Sequence, residues 1–133
     1  MPDIELITEF VAEFGFDRVE ASGLLTKRST PHHCWSVFPE GALLFPYFEG
    51  GMVVYFQARV IGDSDKANRW RNLNHRTRRL YNADTLTNPR IRRVAICEGA
   101  IDVLSATQLG CEAVGLIGIS AKLTDAEIMA LRG

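Results

Sequence analysis

The first quarter of the chain carries the spacing of hydrophobic residues that is typical of helices. Leu6, Phe10 and Phe14 recur at helical intervals among glutamates, which predicts an amphipathic helix that ends at Gly15. A second short helix is predicted over 17–25. The chain therefore opens with a short helical region.

The middle of the chain changes to strand-like patterning. Residues 26–39 contain two prolines and few periodic apolar positions, so they are predicted to form a loop. Two stretches rich in β-branched and aromatic residues, 42–48 and 52–60, are separated by the Glu-Gly-Gly of 49–51. That arrangement predicts an antiparallel β-hairpin. Residues 68–81 are basic and irregular, with a short strand expected at each end.

The last third alternates between strand and helix. Apolar strands are predicted over 94–97 and 113–117, and helices over 99–109 and 124–131. Gly110 is placed to end the first of these helices, and Thr124 with Glu127 forms a capping-box pattern at the start of the second. A strand–helix–strand segment of this length predicts a right-handed βαβ unit with parallel strands. The predicted fold class is therefore α+β at the start, followed by an α/β segment of βαβα order.

Composition places the chain among ordinary globular domains. It has 133 residues, of which 47% are hydrophobic and 23% charged, which fits one domain and excludes a disordered chain. No apolar run approaches the ~20 residues that a membrane span needs, and residues 1–10 lack the basic start of a secretory signal. Cys34, Cys97 and Cys111 are few and widely spaced, which predicts free thiols and a cytoplasmic location.

Charge is distributed very unevenly along the chain. Residues 1–58 hold three basic and eight acidic residues, residues 59–93 hold ten and three, and residues 94–133 hold two and five. Arginine dominates the middle segment, and its planar fork of donors suits phosphate. Trp70 and Tyr81 lie among these arginines, and such rings stack on bases. The segment predicts nucleic-acid binding; the alternative is a solvated basic loop that balances acidic neighbours.

Two carboxylates follow the first strand of the predicted βαβ unit. Ligand sites of parallel sheets lie beyond the carboxyl ends of the strands, where Glu98 and the turn at 118–120 are expected. Glu98 and Asp102 are four residues apart, so both project from one side of the first helical turn. A divalent cation would offset their repulsion, and Gly99 leaves room for a ligand. The alternative is that the helix dipole alone favours acidic residues here.

The segment 94–110 resembles the first motif of the TOPRIM domain of bacterial DnaG-type DNA primases, in which hydrophobic residues precede Glu-Gly-x-x-Asp-Val. The resemblance continues in order over about residues 22–131. Further similar segments are the hairpin around Leu44-Phe45-Pro46, Gly51 and 59–62, the basic-aromatic-x-Asn of 69–72, the His-x-x-Arg-x-Leu-Tyr of 75–81, and Gly118-Ile119-Ser120.

The resemblance implies a primase-like N-lobe portion over 1–93, with its basic segment at 59–93, and a partial TOPRIM domain over 94–133. The implied reaction is RNA primer synthesis on single-stranded DNA by metal-dependent nucleotidyl transfer. Glu98 and Asp102 would be the catalytic, metal-binding residues, with Mg²⁺ or Mn²⁺. Implied partners are single-stranded DNA, an RNA primer, nucleotides and a replicative helicase, but no membrane. Nucleic-acid and nucleotide contacts would come from Arg59, Arg69, Trp70, Asn72, Arg76 and Arg78.

The sequence departs from the family pattern in two places. No Asp-x-Asp pair follows the second predicted strand, and the Asp-Ser-Asp of 63–65 precedes Glu98, so it is not expected to bind metal. The family's zinc module is missing, since the His-His-Cys of 32–34 lacks paired ligand spacing. We therefore expect a fragment or shortened relative with an incomplete metal site, inactive by itself. The alternatives are a non-catalytic nucleic-acid-binding module or another TOPRIM enzyme, a nuclease or topoisomerase; the segment 69–81 disfavours the latter.

Overall fold

The computed structural model describes residues 2–62, 69–118 and 121–132. In that part of the chain no helix is both long and apolar enough to cross a membrane. The helices are α1 (Pro2–Phe14), α2 (Phe16–Ala21), a 3₁₀ helix (Ala83–Thr87), α3 (Ala100–Gln108) and α4 (Asp125–Arg132). The strands are β1 (Leu43–Glu49), β2 (Met52–Arg59), β3 (Trp70–Asn72), β4 (Ala95–Cys97) and β5 (Ala113–Gly115). This mixed helix and sheet composition confirms the predicted fold class.

The chain divides into two compact units. The first comprises Met1–Phe45 and Phe56–Thr77, and the second comprises Pro46–Tyr55 and Arg78–Gly133. The β1–β2 hairpin contributes to both, because its turn end is counted in the second unit and its open end in the first.

The first unit joins the two N-terminal helices to one end of a three-stranded sheet of order β1-β2-β3. Ile7, Val19 and Leu25 are buried together, which secures α1 against α2. The predicted first helix is confirmed and ends one residue before Gly15. The predicted second helix ends earlier than expected, at Ala21. Its last predicted residue, Leu25, instead forms a β-bridge with Ser36.

The predicted hairpin is confirmed, and its turn explains the two glycines. Gly50 and Gly51 have φ angles of 58° and 76°, the left-handed pair that a two-residue type I′ turn requires. β3 then pairs antiparallel with β2, with Gln57 opposite Asn72 and Arg59 opposite Trp70. The loop predicted over 26–39 is also observed and contains short bridges rather than regular elements.

The second unit contains the βαβα segment. β4 and β5 are parallel, as predicted, and pair Ala95 with Ala113 and Cys97 with Gly115. α3 packs on both strands, and Val103 of the helix and Val114 of β5 are both fully buried. The other edge of β5 is occupied by Tyr81, whose backbone exchanges hydrogen bonds of 2.8 and 3.0 Å with Gly115.

Two details of the second unit bear on the sequence predictions. The capping box is confirmed, because the Thr124 backbone N–H donates to the Glu127 carboxylate at 2.6 Å and the Glu127 N–H donates to the Thr124 hydroxyl at 3.2 Å. The 3₁₀ helix was not predicted. It follows Asn82, which has a left-handed φ of 62° and donates its side-chain amide to the Ala113 carbonyl at 2.9 Å.

Candidate functional site

The two predicted site carboxylates lie at the junction of β4 and α3. Glu98 follows the last residue of β4, Gly99 is the N-cap of α3, and Asp102 lies in its first turn. Both acidic side chains are exposed, and within the described residues neither forms a hydrogen bond or ion pair with another side chain. The junction therefore presents two unneutralised carboxylates at one end of the parallel strands.

Backbone contacts hold this junction against the end of β5. The Leu116 N–H donates to the Cys97 carbonyl at 2.9 Å, and the Gly118 N–H donates to the Glu98 carbonyl at 3.2 Å. Glu98 and Gly118 are thus neighbours at the carboxyl edge of the sheet, where parallel folds bind ligands. The other two residues of the predicted turn, 119 and 120, lie outside the described part of the chain.

A glycine allows β5 to approach the start of α3 closely. A Cβ placed on Gly115 would lie 3.0 Å from Cγ2 of Val103 and 3.1 Å from the carbonyl carbon and oxygen of Gly99. Real Cβ atoms rarely lie so near other carbons, because the optimal carbon–carbon separation is about 3.5–4.0 Å. Gly115 therefore sets how tightly the sheet packs against the turn that carries Glu98.

Burial and the charge of Asp102 both affect the pKa of the neighbouring Cys97 thiol. Burial raises the pKa of the Cys97 thiol, and the negative charge of Asp102 raises it further. The Asp102 carboxylate thus acts on the last residue of β4. A raised pKa favours the neutral thiol over the thiolate, which is the more reactive form.

The donor chemistry of the junction fits Mg²⁺ or Mn²⁺. These cations prefer oxygen ligands, and Mg²⁺ is commonly held by one or two carboxylates together with waters and substrate phosphates. Glu98 and Asp102 supply two such groups. No cluster of three or more His, Cys, Asp or Glu side chains suited to a metal occurs in the part of the chain that is described. The two carboxylates alone predict weak binding that depends on a phosphate-bearing ligand. The Asp-Ser-Asp of 63–65 lies outside the described residues.

Four of the predicted nucleic-acid contacts lie on or beside β2 and β3 in the first unit. Arg59 and Trp70 are opposite each other, and the Arg59 guanidinium carbon lies 5.5 Å from the centre of the Trp70 ring. The Phe45 ring is 5.4 Å from the same indole, centre to centre. Trp70 is half-buried. Its ring is therefore held in one orientation by Phe45 on one hand and by the cation–π contact with Arg59 on the other.

Asn72 and Arg69 are also tied into this sheet. The Gln57 side-chain amide donates to the Asn72 side-chain oxygen at 3.2 Å, and Gln57 is only 6% exposed. The Arg69 carbonyl accepts from the Val60 N–H at 2.8 Å. Sequence reasoning did not identify Gln57. Its position as a polar residue within a mostly apolar strand could have indicated a buried hydrogen bond.

Arg76 follows Asn74, which is hydrogen-bonded to the backbone near Gly23. The Asn74 N–H donates to the Gly23 carbonyl at 2.9 Å, and the Asn74 side-chain amide donates to the Leu25 carbonyl at 2.7 Å. Gly23 has a left-handed φ of 84°, and a Cβ there would overlap the Asn74 carbonyl oxygen and crowd the Arg76 stem. The stem of Arg76 is thereby positioned, while its side chain is exposed and forms no ion pair with a described residue.

Arg78 belongs to the second unit, together with Glu98 and Asp102. It is exposed, and one guanidinium nitrogen donates to the Ile117 carbonyl at 3.3 Å, near the carboxyl end of β5. A guanidinium offers five donors, so most of those of Arg78 stay available to a ligand. Within its unit, Arg78 is the predicted contact residue that shares the ligand edge of the parallel sheet.

Sequence reasoning also missed a carboxylate that organises the hairpin turn. The Asp84 side chain accepts hydrogen bonds from the Gly50 and Gly51 N–H groups at 2.8 and 3.0 Å. Beside it, Arg79 and Glu49 form an exposed ion pair of 3.3 Å. No local pattern signals these pairings, because they join segments 30 or more residues apart in sequence.

Comparison with solved structures shows what this arrangement is similar to. The chain matches the DnaG primase catalytic domain solved bound to single-stranded DNA with a TM-score of 0.66 and 24% sequence identity. It matches a DNA primase domain from Pseudomonas aeruginosa with a TM-score of 0.69 and 22% identity. Each match covers 92% of this chain. The chain thus has the fold of part of a primase catalytic domain, as the sequence motifs predicted.

The chain spans about two fifths of the length of these two primase domains, since the matches cover 40% and 41% of them. No protein-family model matches the sequence. No curated protein matches it either.

Proposed function

We propose that this chain is part of a DNA primase core that makes RNA primers on single-stranded DNA. In this proposal 1–93 is a primase-like N-lobe portion, with its basic segment at 59–93, and 94–133 begins a TOPRIM domain. The observation that carries the proposal is the primase fold, combined with two carboxylates at the carboxyl edge of its parallel strands that pair with no other side chain among the described residues. Such an edge is where α/β folds place their ligands.

Glu98 and Asp102 are the residues that would hold Mg²⁺ or Mn²⁺. The bound cation would neutralise negative charge on the phosphates of the incoming nucleotide. The chain itself contributes the positions of these two residues. The backbone hydrogen bond from Gly118 to Glu98 holds Glu98 at the end of the strand, and the first turn of α3 carries Asp102 beside it. With two ligands, metal affinity should be weak, and we expect the 133-residue chain alone to synthesise no detectable primer.

The basic residues divide into packed and available groups. Arg59 is held over Trp70, whereas Arg76 and Arg78 are exposed and have free donors for phosphate oxygens. Arginine suits this role because its planar fork binds phosphate bidentately. The exposed pair should therefore contribute most to the salt-dependent binding of a single strand.

The test is the salt dependence of binding to a single-stranded oligonucleotide. If about six phosphates are neutralised, a plot of log affinity against log salt concentration should have a slope near −4, at ~0.7 per contact. The double variant Arg76→Ala/Arg78→Ala should weaken binding and make the slope about 1.4 less steep. Arg90→Ala/Arg93→Ala is the matched control, because it removes the same charge from two exposed residues of the same segment. Equal losses in both double variants would show general attraction to the basic segment and no particular role for Arg76 and Arg78.

The metal assignment separates the primase proposal from a non-catalytic nucleic-acid-binding module. Mn²⁺ binding, measured by electron paramagnetic resonance in the presence of a nucleotide, should fall strongly in Glu98→Gln. Glu112→Gln is the control, since Glu112 is also exposed and lies outside the junction. If the oligonucleotide still binds while Mn²⁺ binding is the same in both variants, the binding-module alternative is correct.

A further inference from the structure

A second concave surface lies in the second unit, away from Glu98 and Asp102. The segment from Thr85 to Val94 forms one side of a cavity of about 450 Å³, and the last turn of α4, ending at Arg132, forms the other. α4 lies next to the 3₁₀ helix, so the two sides of the cavity are neighbours in the fold. Small-molecule sites usually measure about 300–1,000 Å³, so this cavity is large enough for a ligand.

Two arginines line this cavity, and neither has an acidic partner in the part of the chain that is described. Arg92 and Arg132 are exposed, and neither side chain forms a hydrogen bond or an ion pair with a described residue. The position of Arg132 at the end of α4 is favourable by itself, because helix C-termini attract cations. That effect does not account for Arg92, which lies in a separate wall. Two like charges that face one cavity repel each other unless an anion lies between them.

The cavity also offers neutral hydrogen-bond donors. Thr85 lines it and is only 9% exposed, yet its hydroxyl has no hydrogen-bond partner among the described residues. A buried hydroxyl without a partner is unfavourable, which points to a ligand or a water in the cavity. Asn88 accepts from the Arg90 N–H at 3.0 Å, which fixes its amide and leaves the NH₂ group free to donate.

We propose that this cavity binds a small phosphate: free phosphate or the phosphate group of a monoester. Two guanidinium forks, a hydroxyl and an amide supply more donors than a carboxylate accepts, but they match the several oxygens of a phosphate. The apolar side chain of Leu131 beside Arg132 gives an organic substituent a surface to contact. Arg92 lies within the basic segment 59–93, but none of these residues is among the individual metal or nucleic-acid contacts proposed above. The inference therefore does not rest on the primase function.

The experiment is isothermal titration calorimetry on the 133-residue chain in phosphate-free buffer. Inorganic phosphate, adenosine monophosphate and adenosine serve as probes. Both phosphate-bearing probes should bind saturably and adenosine should not. A tighter complex with the monophosphate identifies a monoester site, and equal affinities identify a site for the phosphate group alone.

Arg132→Gln should weaken phosphate binding at least about tenfold, the equivalent of one charge-assisted hydrogen bond. Arg90→Gln is the matched control, because Arg90 is exposed and adjacent but does not line the cavity; its affinity should stay within about twofold. Thr85→Val keeps the side-chain volume and tests the hydroxyl. If Thr85→Val fails to fold, as seen by circular dichroism, the surface variant Arg132→Gln decides.

Several results would overturn the proposal. Saturable phosphate binding that is unchanged in Arg132→Gln would place the site elsewhere, and equal weakening in Arg90→Gln would reduce it to general charge attraction. No saturable binding of either phosphate probe would exclude the site. If Arg132→Gln weakens only the binding of a single-stranded oligonucleotide, the surface contacts a nucleic-acid backbone and not a small phosphate.

Discussion

Gly115→Ala tests whether the close approach of β5 to α3 is as tight as the structure shows. The added methyl group would lie 3.0–3.1 Å from the Val103 methyl and from the carbonyl carbon and oxygen of Gly99. Ordinary contact requires about 3.5–4.0 Å, so either the strand or the helix start must move by several tenths of an ångström. The Gly99 carbonyl cannot move easily, because it accepts the first backbone hydrogen bond of α3, from the Val103 N–H at 3.2 Å.

The expected magnitude follows from opposing effects. Overpacking a well-packed core costs about 1–3 kcal/mol. Replacing glycine by alanine restricts the unfolded chain and returns about 0.4–1 kcal/mol. We therefore expect Gly115→Ala to lower the free energy of unfolding by about 1–2 kcal/mol, measured as a lower urea midpoint at unchanged m-value.

Gly99→Ala is the matched control for this prediction. Gly99 has extended backbone, and among the described residues its Cβ would meet only an Asp102 carboxylate oxygen, at 4.0 Å. Alanine is a weaker N-cap than glycine, but the entropy gain offsets most of that loss, so we expect a change within about 0.5 kcal/mol. A Gly115→Ala protein as stable as the Gly99→Ala protein would refute the tight packing of β5 on the junction.

Three further changes test other parts of the structure. Thr124→Ala removes the cap of α4 and should cost about 1 kcal/mol in urea unfolding; unchanged stability would show that the capping box contributes nothing. Asp84→Ala leaves the Gly50 and Gly51 amides without their acceptor and should cost about 1–2 kcal/mol, with Asp84→Asn costing less. Burial raises the pKa of the Tyr47 phenol. Its stabilising contribution is therefore complete below about pH 10 and lost as the pH rises further, so Tyr47→Phe should flatten the fall in stability between pH 9.5 and 11.5. Parallel curves would contradict this.

Local patterns in the sequence were sufficient for most of the regular elements. Alternation and short apolar runs predicted the β1–β2 hairpin and the parallel β4–β5 pair, and paired glycines predicted the turn between β1 and β2. The capping box at Thr124 was likewise read correctly. These features succeed because they depend on residues within a few positions of one another, where backbone sterics and hydrogen-bonding distances are already set by the chain.

The candidate site was only partly accessible from sequence. Spacing placed Glu98 and Asp102 on one helical turn, and the order of motifs indicated the primase fold. Sequence could not distinguish a packed arginine from an available one. Arg59 lies over Trp70, whereas Arg76 is exposed, although both belong to the same basic segment. The sequence shows that both residues are positively charged. Which side chains surround each arginine is determined by the register of the strands and by the path of the chain between them.

Tertiary structure alone decided the remaining features. Gln57 pairs with Asn72 across two strands, and Asp84 reaches the hairpin turn from more than 30 residues away. The Thr85 hydroxyl, which has no partner among the described residues, shares its cavity with Arg92 and with Arg132 from a distant segment that no local pattern connects to it. Periodicity in a sequence shows which side of an element is buried. It does not show which other element covers that side, because this depends on how distant segments satisfy their hydrogen bonds and fill space together.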